Sequence, residues 1–207
     1  MKINGFNVAL ALSCLLMVTV SHAKCWKGID CHEDLPSKES PAPAPTSTAE
    51  DWQMLDRYQV KGGLVKDPIT GLMWMRCSFG QTWDGSTCSG ETTQVTWEQA
   101  MNLPKRVEYA GYSDWRVPSY EELHGLVYCS SGEKETKDDG RWDCGGDYAR
   151  PAIVQAVFPN TSRGSFWSSS PIANPSKYAW YVNFSFGYSN WYNKSNNNYV
   201  RLVRSEQ

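Results

Sequence analysis

The sequence of 207 residues carries 20 Lys and Arg against 22 Asp and Glu, a formal net charge of −2. This near-balance argues against a nucleic-acid-binding domain, and we expect no nucleic-acid partner. Ten Trp and eleven Tyr, with few Leu and Ile, favour a loop-rich mixed fold whose core is built from aromatic rings.

Residues 1–23 have the three parts of a secretory signal peptide. Lys2 supplies a positive charge, an uncharged stretch of 13 residues runs from Val8 to Val20, and Ser21-His22-Ala23 offers small residues for cleavage. A helix of that length rises about 20 Å, too short for a hydrocarbon core of roughly 30 Å. We expect cleavage, export and no membrane insertion afterwards. An uncleaved membrane anchor is the alternative.

Cleavage removes Cys14 and leaves six cysteines, an even number that indicates a disulfide framework in an exported chain. Many pairings are formally open, but the spacing favours three local bridges: Cys25–Cys31, Cys77–Cys88 and Cys129–Cys144. A metal site is the rival interpretation. It is disfavoured because the mature chain has no C-x-x-C pair and only two histidines, His32 and His124, so we predict no metal.

Residues 24–51 are not typical of a folded core. A small loop between Cys25 and Cys31 is followed by a stretch rich in Pro, Ala, Ser and Thr, which includes Pro41-Ala-Pro-Ala-Pro45. Such a composition favours extended polyproline II geometry and buries too little apolar surface to fold. We interpret it as a disordered spacer before one domain, residues 52–207.

The domain opens with two predicted strands, 64–67 and 72–77. Pro68 presets φ in the turn between them and Gly71 accommodates a positive φ, so the pair reads as a hairpin. Capping boxes then predict two helices: Thr96 with Gln99 begins 97–108, and Ser119 with Glu122 begins 120–128. A third short helix is predicted over 151–158.

Strands and turns dominate the C-terminal part. The predicted strands are 166–170, 178–185 and 199–203, separated by turns at Gly187 and 196–198. This order predicts an α+β fold with two to three short helices and a C-terminal antiparallel sheet, stapled by disulfides.

Four ordered blocks of sequence resemble the Lcl C-terminal domain family, exported bacterial domains of formerly unknown function. The blocks are Gly63–Asp67 with Thr70–Trp74, Ala110–Ser119 with Glu122 and Leu123, Phe158–Asn160 with Phe166–Ser169, and Ala179–Asn183 with Val200–Arg204. The resemblance covers roughly residues 56–205. Four blocks in order are far more specific than any single motif.

The resemblance implies a C-type-lectin-like fold. The family's namesake is the terminal domain of a collagen-like surface adhesin that binds sulfated glycosaminoglycans as a trimer. This chain lacks a Gly-X-Y collagen stalk, so oligomerisation and surface display stay open, and the expected address is the periplasm or the cell surface of a bacterium. Trp74, Trp115 and Trp167 lie in or beside the recurring blocks and are expected to be packing residues.

No obvious catalytic set stands out. His124 is the one histidine in the domain, and we interpret it as a helix-surface residue because no nucleophile is evident beside it. A lectin-like oxygenase with reactive cysteines is a third hypothesis, disfavoured because each domain cysteine has an expected disulfide partner. We predict no enzyme activity and no cofactor.

Acidic residues in the Cys129–Cys144 loop are of the kind that bind a hard cation: Asp138, Asp139 and Asp143. A solvated acidic loop is the commoner arrangement and the interpretation we favour. Calcium binding is therefore left open and no metal is predicted.

Charge is segregated along the chain. Residues 148–205 contain no Asp or Glu and carry +6 from six cations: Arg150, Arg163, Lys177, Lys194, Arg201 and Arg204. Loss of Lys2 leaves 19 Lys and Arg against 22 Asp and Glu in the mature chain, so the remainder carries −9. Such segregation predicts a positive face that attracts polyanions.

Aromatic and amide side chains interleave with these cations. This pattern is typical of glycan-binding sites, in which rings stack on sugars and cations bind sulfate or carboxylate. The predicted ligand-binding residues are Lys177, Trp191, Tyr192, Lys194, Arg201 and Arg204. Trp180 is expected in the core. Arg116 and Arg204 have an alternative interpretation as structural partners of acidic residues.

These observations predict an exported, non-enzymatic binding module, adhesin-like, that recognises a glycan or a sulfated polyanion. The alternative is a structural or protein-binding subunit of a cell-envelope, pilus or secretion assembly, with an envelope protein as its partner.

Overall fold

The computed structural model describes residues 51–138, 141–172 and 177–206. The predicted signal peptide, the Cys25–Cys31 bridge and the spacer up to residue 50 lie outside these residues. In the described part most elements are strands and the helices are short, which confirms the α+β class.

The elements follow one another in chain order. The strands are β1 (Gln53–Leu55), β2 (Tyr58–Lys61), β3 (Leu64–Asp67), β4 (Leu72–Met75), β5 (Thr82–Trp83), β6 (Cys88–Ser89), β7 (Lys134–Thr136), β8 (Trp142–Cys144), β9 (Ser165–Pro171), β10 (Tyr178–Asn183), β11 (Tyr188–Asn193) and β12 (Val203–Ser205). The helices are α1 (Trp97–Asn102), continued by a 3-10 turn at Leu103–Arg106, and α2 (Tyr120–His124).

A five-stranded antiparallel sheet has the order β1-β2-β3-β4-β12. The predicted hairpin is confirmed, since Leu64 pairs with Met75 and Asp67 with Leu72 across a turn in which Gly71 has φ +67°. The chain returns to this sheet at its C-terminal end, where β12 pairs with β4. The predicted strand over 199–203 is thus wrong in extent and in sheet.

A second antiparallel sheet has the order β11-β10-β9. The predicted strands 166–170 and 178–185 correspond to β9 and β10. Trp191 and Tyr192 lie in β11, which pairs with β10 along its whole length. The turn between these strands contains Gly187, whose φ is +66°.

Both capping boxes are present. The hydroxyls of Thr96 and Ser119 accept hydrogen bonds from the N–H groups of Gln99 and Glu122, three residues on. The predicted third helix over 151–158 is wrong, because that backbone bonds to distant elements: Ala152 N–H donates to the carbonyl of Phe184 at 2.6 Å, and Ile153 bridges Val127.

The two larger hydrophobic clusters of the core each contain residues from both of these sheets, and a third, smaller cluster surrounds the Cys129–Cys144 bridge. Trp74, Trp115 and Trp167 are buried, as predicted. Trp180, predicted for the core, is only partly buried, and its ring packs on that of Tyr120 at 4.9 Å between centroids.

The predicted disulfides Cys77–Cys88 and Cys129–Cys144 are both formed. The second one stands directly under the β10–β11 turn, where a Cβ added at Gly187 would overlap the Sγ of Cys144. Two disulfides fit a chain that matures in an oxidising compartment. Among the described residues, none of the helices has the length and apolarity needed to cross a membrane.

Candidate binding surface

The hairpin β10–β11 carries both of the predicted ligand-binding aromatic residues. Trp191 pairs with Trp180, and Tyr192 pairs with Ala179. Because successive side chains of a strand point to opposite faces, Trp191 and Tyr192 lie on opposite faces of the hairpin. Each is about half exposed, 49% for Trp191 and 47% for Tyr192. They cannot line the same flat site.

The face with Trp191 is tied to α2. The ring of Trp191 meets that of Tyr178 edge-on at 5.0 Å, and Trp180 packs on Tyr120 of α2. The hydroxyl of Tyr120 lies 3.0 Å from that of Ser189 on β11. The hydroxyl of Ser189 on this face therefore already has a partner within the protein.

The face with Tyr192 is centred on Tyr181, which is 8% exposed. The rings of Tyr188 and Tyr192 meet it edge-on at 6.2 and 5.8 Å. Burial, followed by the hydrogen bond to Tyr188, raises the pKa of Tyr181, so its phenol stays neutral. Because Tyr181 packs in the same core cluster as Trp97, this face of the hairpin lies toward α1.

A groove of about 700 Å³ lies between the open end of this hairpin and the start of α1. Lys177 and Lys194 line one side, and residues 96–98 line the other. The N–H of Lys194 donates to the carbonyl of Lys177 at 2.8 Å, which holds the two cations side by side. The Nζ of Lys194 lies 4.1 Å from the ring centroid of Trp97. Two of the predicted cations thus meet in this groove, and Tyr192 lies two positions before Lys194 in the chain.

A second groove, of about 630 Å³, follows α1 and the 3-10 turn. It shares Thr96 and Glu98 with the first groove, so the two adjoin. Exposed Lys105 and Arg106 line it, and Lys105 Nζ donates to Asn102 Oδ1 at 2.8 Å. Neither cation was predicted from the sequence as a binding residue, because both lie outside residues 148–205, the acid-free segment. The signal was two adjacent basic residues at a helix end.

The prediction that Arg201 binds a ligand is wrong, because its side chain is 0% exposed. The guanidinium donates to the carbonyls of Met75 and Arg76 and, at 3.0 and 2.8 Å, to the hydroxyls of Ser78 and Thr161. No carboxylate is among these partners, and burial lowers the pKa of Arg201 to about 9. Arg201 is a structural residue of the core.

Arg204 is also wrong as a ligand-binding residue, since it is 5% exposed and paired with Asp114. Its alternative interpretation as a structural partner of an acidic residue is confirmed. Arg116 behaves similarly, with both guanidinium Nη atoms 2.6 Å from the carboxylate of Glu122. That hydrogen-bonded pair lowers the pKa of Glu122.

The four remaining cations of the acid-free segment form two separate pairs. Arg163 donates to the carbonyl of Arg150 at 3.2 Å, and the Arg150 guanidinium lies 5.6 Å from the ring of Phe186 in the β10–β11 turn. Lys177 and Lys194 stand at the opposite end of the hairpin, about 17 Å away at six residues per strand. The acid-free segment therefore makes two positive ends and no single positive face.

His124 is not the surface residue that the sequence predicted. Its ring is partly buried between Tyr120 and Trp142, at 5.5 and 4.5 Å, and its Nε2 is buried with no hydrogen-bond partner among the described residues. Burial lowers the pKa of His124, with a smaller contribution from Lys134 and opposition from Asp143. The imidazole is a packing group here.

The acidic residues of the Cys129–Cys144 loop are described in part. Asp143 pairs with Lys137 at 3.0 Å, and Asp139 lies outside the described residues. In the described part of the chain, no three His, Cys, Asp or Glu side chains form a group able to hold a metal ion.

An apolar cavity of about 340 Å³ lies beside the Cys77–Cys88 bridge and is walled by Phe79, Trp83 and Tyr109. The polar groups at its edge are already used, because Gln81 accepts from the N–H of Ser78 and donates to the carbonyl of Asn160. The charged grooves beside α1 offer more to a polar ligand.

The two sheets, the short capped helices and the two cystines define a disulfide-stapled α+β domain. Within that class, the chain belongs to the Lcl C-terminal domain family, whose model matches residues 63–204. The family prediction from four sequence blocks is therefore confirmed. A comparison with curated proteins finds no match.

Proposed function

We propose that this chain is an exported, non-enzymatic binding module that recognises an anionic glycan in the groove between the β10–β11 hairpin and α1. The observation that carries the proposal is the convergence of Lys177 and Lys194 on one groove. The half-exposed Tyr192 lies two positions before Lys194 in the chain, on the hairpin face toward α1. Lysine ammonium groups attract sulfate or carboxylate, and a tyrosine ring offers a flat apolar face to a sugar.

The position of the Lys194 ammonium in the groove also supports the proposal. The ammonium of Lys194 lies over the ring of Trp97, 4.1 Å from its centroid, and this contact holds the cation at a fixed place in the groove. A preorganised cation loses less conformational entropy when a ligand binds.

A structural or protein-binding subunit of a cell-envelope, pilus or secretion assembly is the second candidate. The half-exposed Trp191 and Phe186 favour it, because exposed aromatic residues are enriched at protein interfaces. Addition of a partner strand to β11 is disfavoured, however. The carbonyl of Ser189 already accepts from Arg141 at 2.7 Å, and the N–H of Trp191 donates to Asn190 Oδ1 at 2.8 Å.

Three further parts of the proposal have support outside the groove. The signal peptide supports export to the periplasm or cell surface, and the family resemblance supports a C-type-lectin-like fold and an adhesin-like role. A binding role without catalysis or cofactor is supported by the packing of His124 between two aromatic rings. An oligomer is compatible with all of these.

Heparin-affinity chromatography across a salt gradient tests the proposal. The Lys177→Ala/Lys194→Ala double variant should elute at clearly lower salt than the parent. Lys61→Ala/Arg163→Ala is the matched control, because it removes the same charge from exposed positions outside the groove. The proposal fails if the parent is not retained at low salt, or if both double variants lose retention equally.

A further inference from the structure

We infer that the ligand is a linear polyanionic glycan chain that continues past the hairpin, across Thr96 and Glu98, to a second cation pair at Lys105 and Arg106. This inference rests on the proposed function and adds the ligand's length and course. It is carried by the two adjoining grooves, which together place a cation pair at each end of α1.

The two cation pairs are related by the helix between them. The backbone carbonyl of Lys194 accepts from the N–H of Trp97 at 3.0 Å, so the first pair is anchored where α1 begins. Lys105 and Arg106 lie in the 3-10 turn that continues α1. Helical rise over residues 97–106 separates the pairs by about 15 Å. A ligand that reaches only one pair leaves the other unused.

The charges along this course have one interruption. Lys177, Lys194, Lys105 and Arg106 are the cations that line the two grooves. Among the described lining residues, Glu98 is the one acid, and it stands where the grooves adjoin. A polyanion that crosses from one pair to the other must therefore pass an exposed carboxylate, which weakens its binding.

Two measurable properties follow from this arrangement. First, affinity should depend on chain length, because a long polyanion contacts both pairs and gains the second contact intramolecularly. Second, neutralising Glu98 should improve binding of a long chain, since it removes repulsion at the junction. A ligand confined to the hairpin groove would also meet Glu98, so the length dependence and the variant at Lys105 and Arg106 are both needed.

The experiment measures the affinity of the purified oxidised chain for a heparin tetrasaccharide and a heparin dodecasaccharide by titration calorimetry. Lys105→Ala/Arg106→Ala should weaken dodecasaccharide binding about five- to tenfold and leave tetrasaccharide binding nearly unchanged. Glu98→Gln should strengthen dodecasaccharide binding about two- to threefold. Lys61→Ala/Arg163→Ala controls for net charge, and equal melting temperatures control for folding.

The outcomes separate this inference from the proposed function. Absence of binding to either heparin fragment overturns both. Dodecasaccharide binding that falls in Lys177→Ala/Lys194→Ala but not in Lys105→Ala/Arg106→Ala overturns the extended course alone. Equal competition by single-stranded DNA of matched charge would show that the grooves select charge alone, which overturns the assignment of a glycan. The inference is supported if Lys105→Ala/Arg106→Ala weakens binding of the dodecasaccharide but not of the tetrasaccharide, while Lys177→Ala/Lys194→Ala weakens binding of both.

Discussion

Arg204 and Asp114 lie 90 positions apart and form a two-pronged ion pair, with Nε–Oδ1 at 2.7 Å and Nη2–Oδ2 at 3.0 Å. The same guanidinium covers the ring of Tyr112 at 3.9 Å from its centroid. The pair ties β12 to the irregular segment before α2. Arg204, which the sequence predicted to bind a ligand, thus joins two distant segments of the fold.

Asp114→Asn keeps the shape of this pair and removes its charge. The hydrogen bond from Arg204 lowers the pKa of Asp114, so this carboxylate stabilises the fold above its unfolded pKa and ceases to do so as pH falls through its folded pKa. We expect a lower melting temperature near neutral pH and a difference from the parent that closes in acid. Thermal unfolding over a pH series measures it, with exposed Asp147→Asn as control. A pH-independent difference would contradict the assignment.

Arg201→Ala tests the correction made to that residue. The change leaves a void and deprives two carbonyls and two hydroxyls of their donor, so we expect a loss of about 3–5 kcal/mol in unfolding free energy. Urea unfolding measures it, and Arg201→Met, which keeps the volume, should lose less. Heparin retention of whatever variant stays folded should match the parent. Lost retention with unchanged stability would instead restore a ligand-binding role.

His124→Phe separates titration from packing. The folded pKa of His124 lies below its ordinary value of about 6.5, so the neutral ring stabilises the fold above that pH and the contribution is lost as pH falls through the folded pKa. Phenylalanine keeps the contacts with Tyr120 and Trp142 but does not titrate. We expect the parent to lose more unfolding free energy than the variant on acidification below about pH 6.5. Parallel pH curves would refute the prediction.

Trp191 and Tyr192 are adjacent in β11, and their side chains lie on opposite faces of the hairpin, so alanine variants of the two show which face binds the ligand. Tyr192 lies on the face toward α1, so Tyr192→Ala should weaken heparin binding about threefold to tenfold through lost ring contact. Trp191→Ala removes a ring from the face toward α2 and should leave binding within about twofold. Calorimetric titration of both variants decides the matter, and equal losses would place the ligand across the hairpin edge.

Local signals in the sequence were sufficient for the elements whose hydrogen bonds are local. The capping boxes at Thr96 and Ser119 and the turn at Gly71 each involve groups within a few residues, and all three formed as predicted. The predicted helix over 151–158 failed because Ala152 bonds to Phe184. No pattern within residues 151–158 contains that partner.

The binding surface was predictable only in part for a similar reason. Lys177 and Lys194 are brought together by strand pairing, and their neighbourhood in the acid-free segment pointed to them. Burial of Arg201 depends on acceptors more than a hundred residues away, at Met75 and Arg76. Lys105 belongs to the binding surface because α1 packs beside the hairpin. A count of charges along the chain contains no information on that tertiary contact.

Gly187→Ala tests how closely the β10–β11 turn packs against Cys144. Alanine there meets both an unfavourable φ of +66° and an overlap with Cys144, so we expect a loss of about 2–4 kcal/mol in unfolding free energy. Gly71→Ala is the matched control, with φ +67° and nothing within 4 Å of the added Cβ, and should lose only about 1 kcal/mol. Denaturant unfolding compares the two. Equal losses would show that the contact with Cys144 carries no energy.

The contact between the β10–β11 turn and Cys144 also links ligand binding to disulfide formation. The turn of the hairpin packs against the sulfur of Cys144, which is bonded to the sulfur of Cys129. A newly made chain in a reducing compartment carries every groove residue, yet it lacks the support beneath the turn. We expect Cys129→Ser/Cys144→Ser to bind heparin less well than Cys77→Ser/Cys88→Ser at equal folded fraction. Ligand recognition would then depend on oxidation of Cys129 and Cys144.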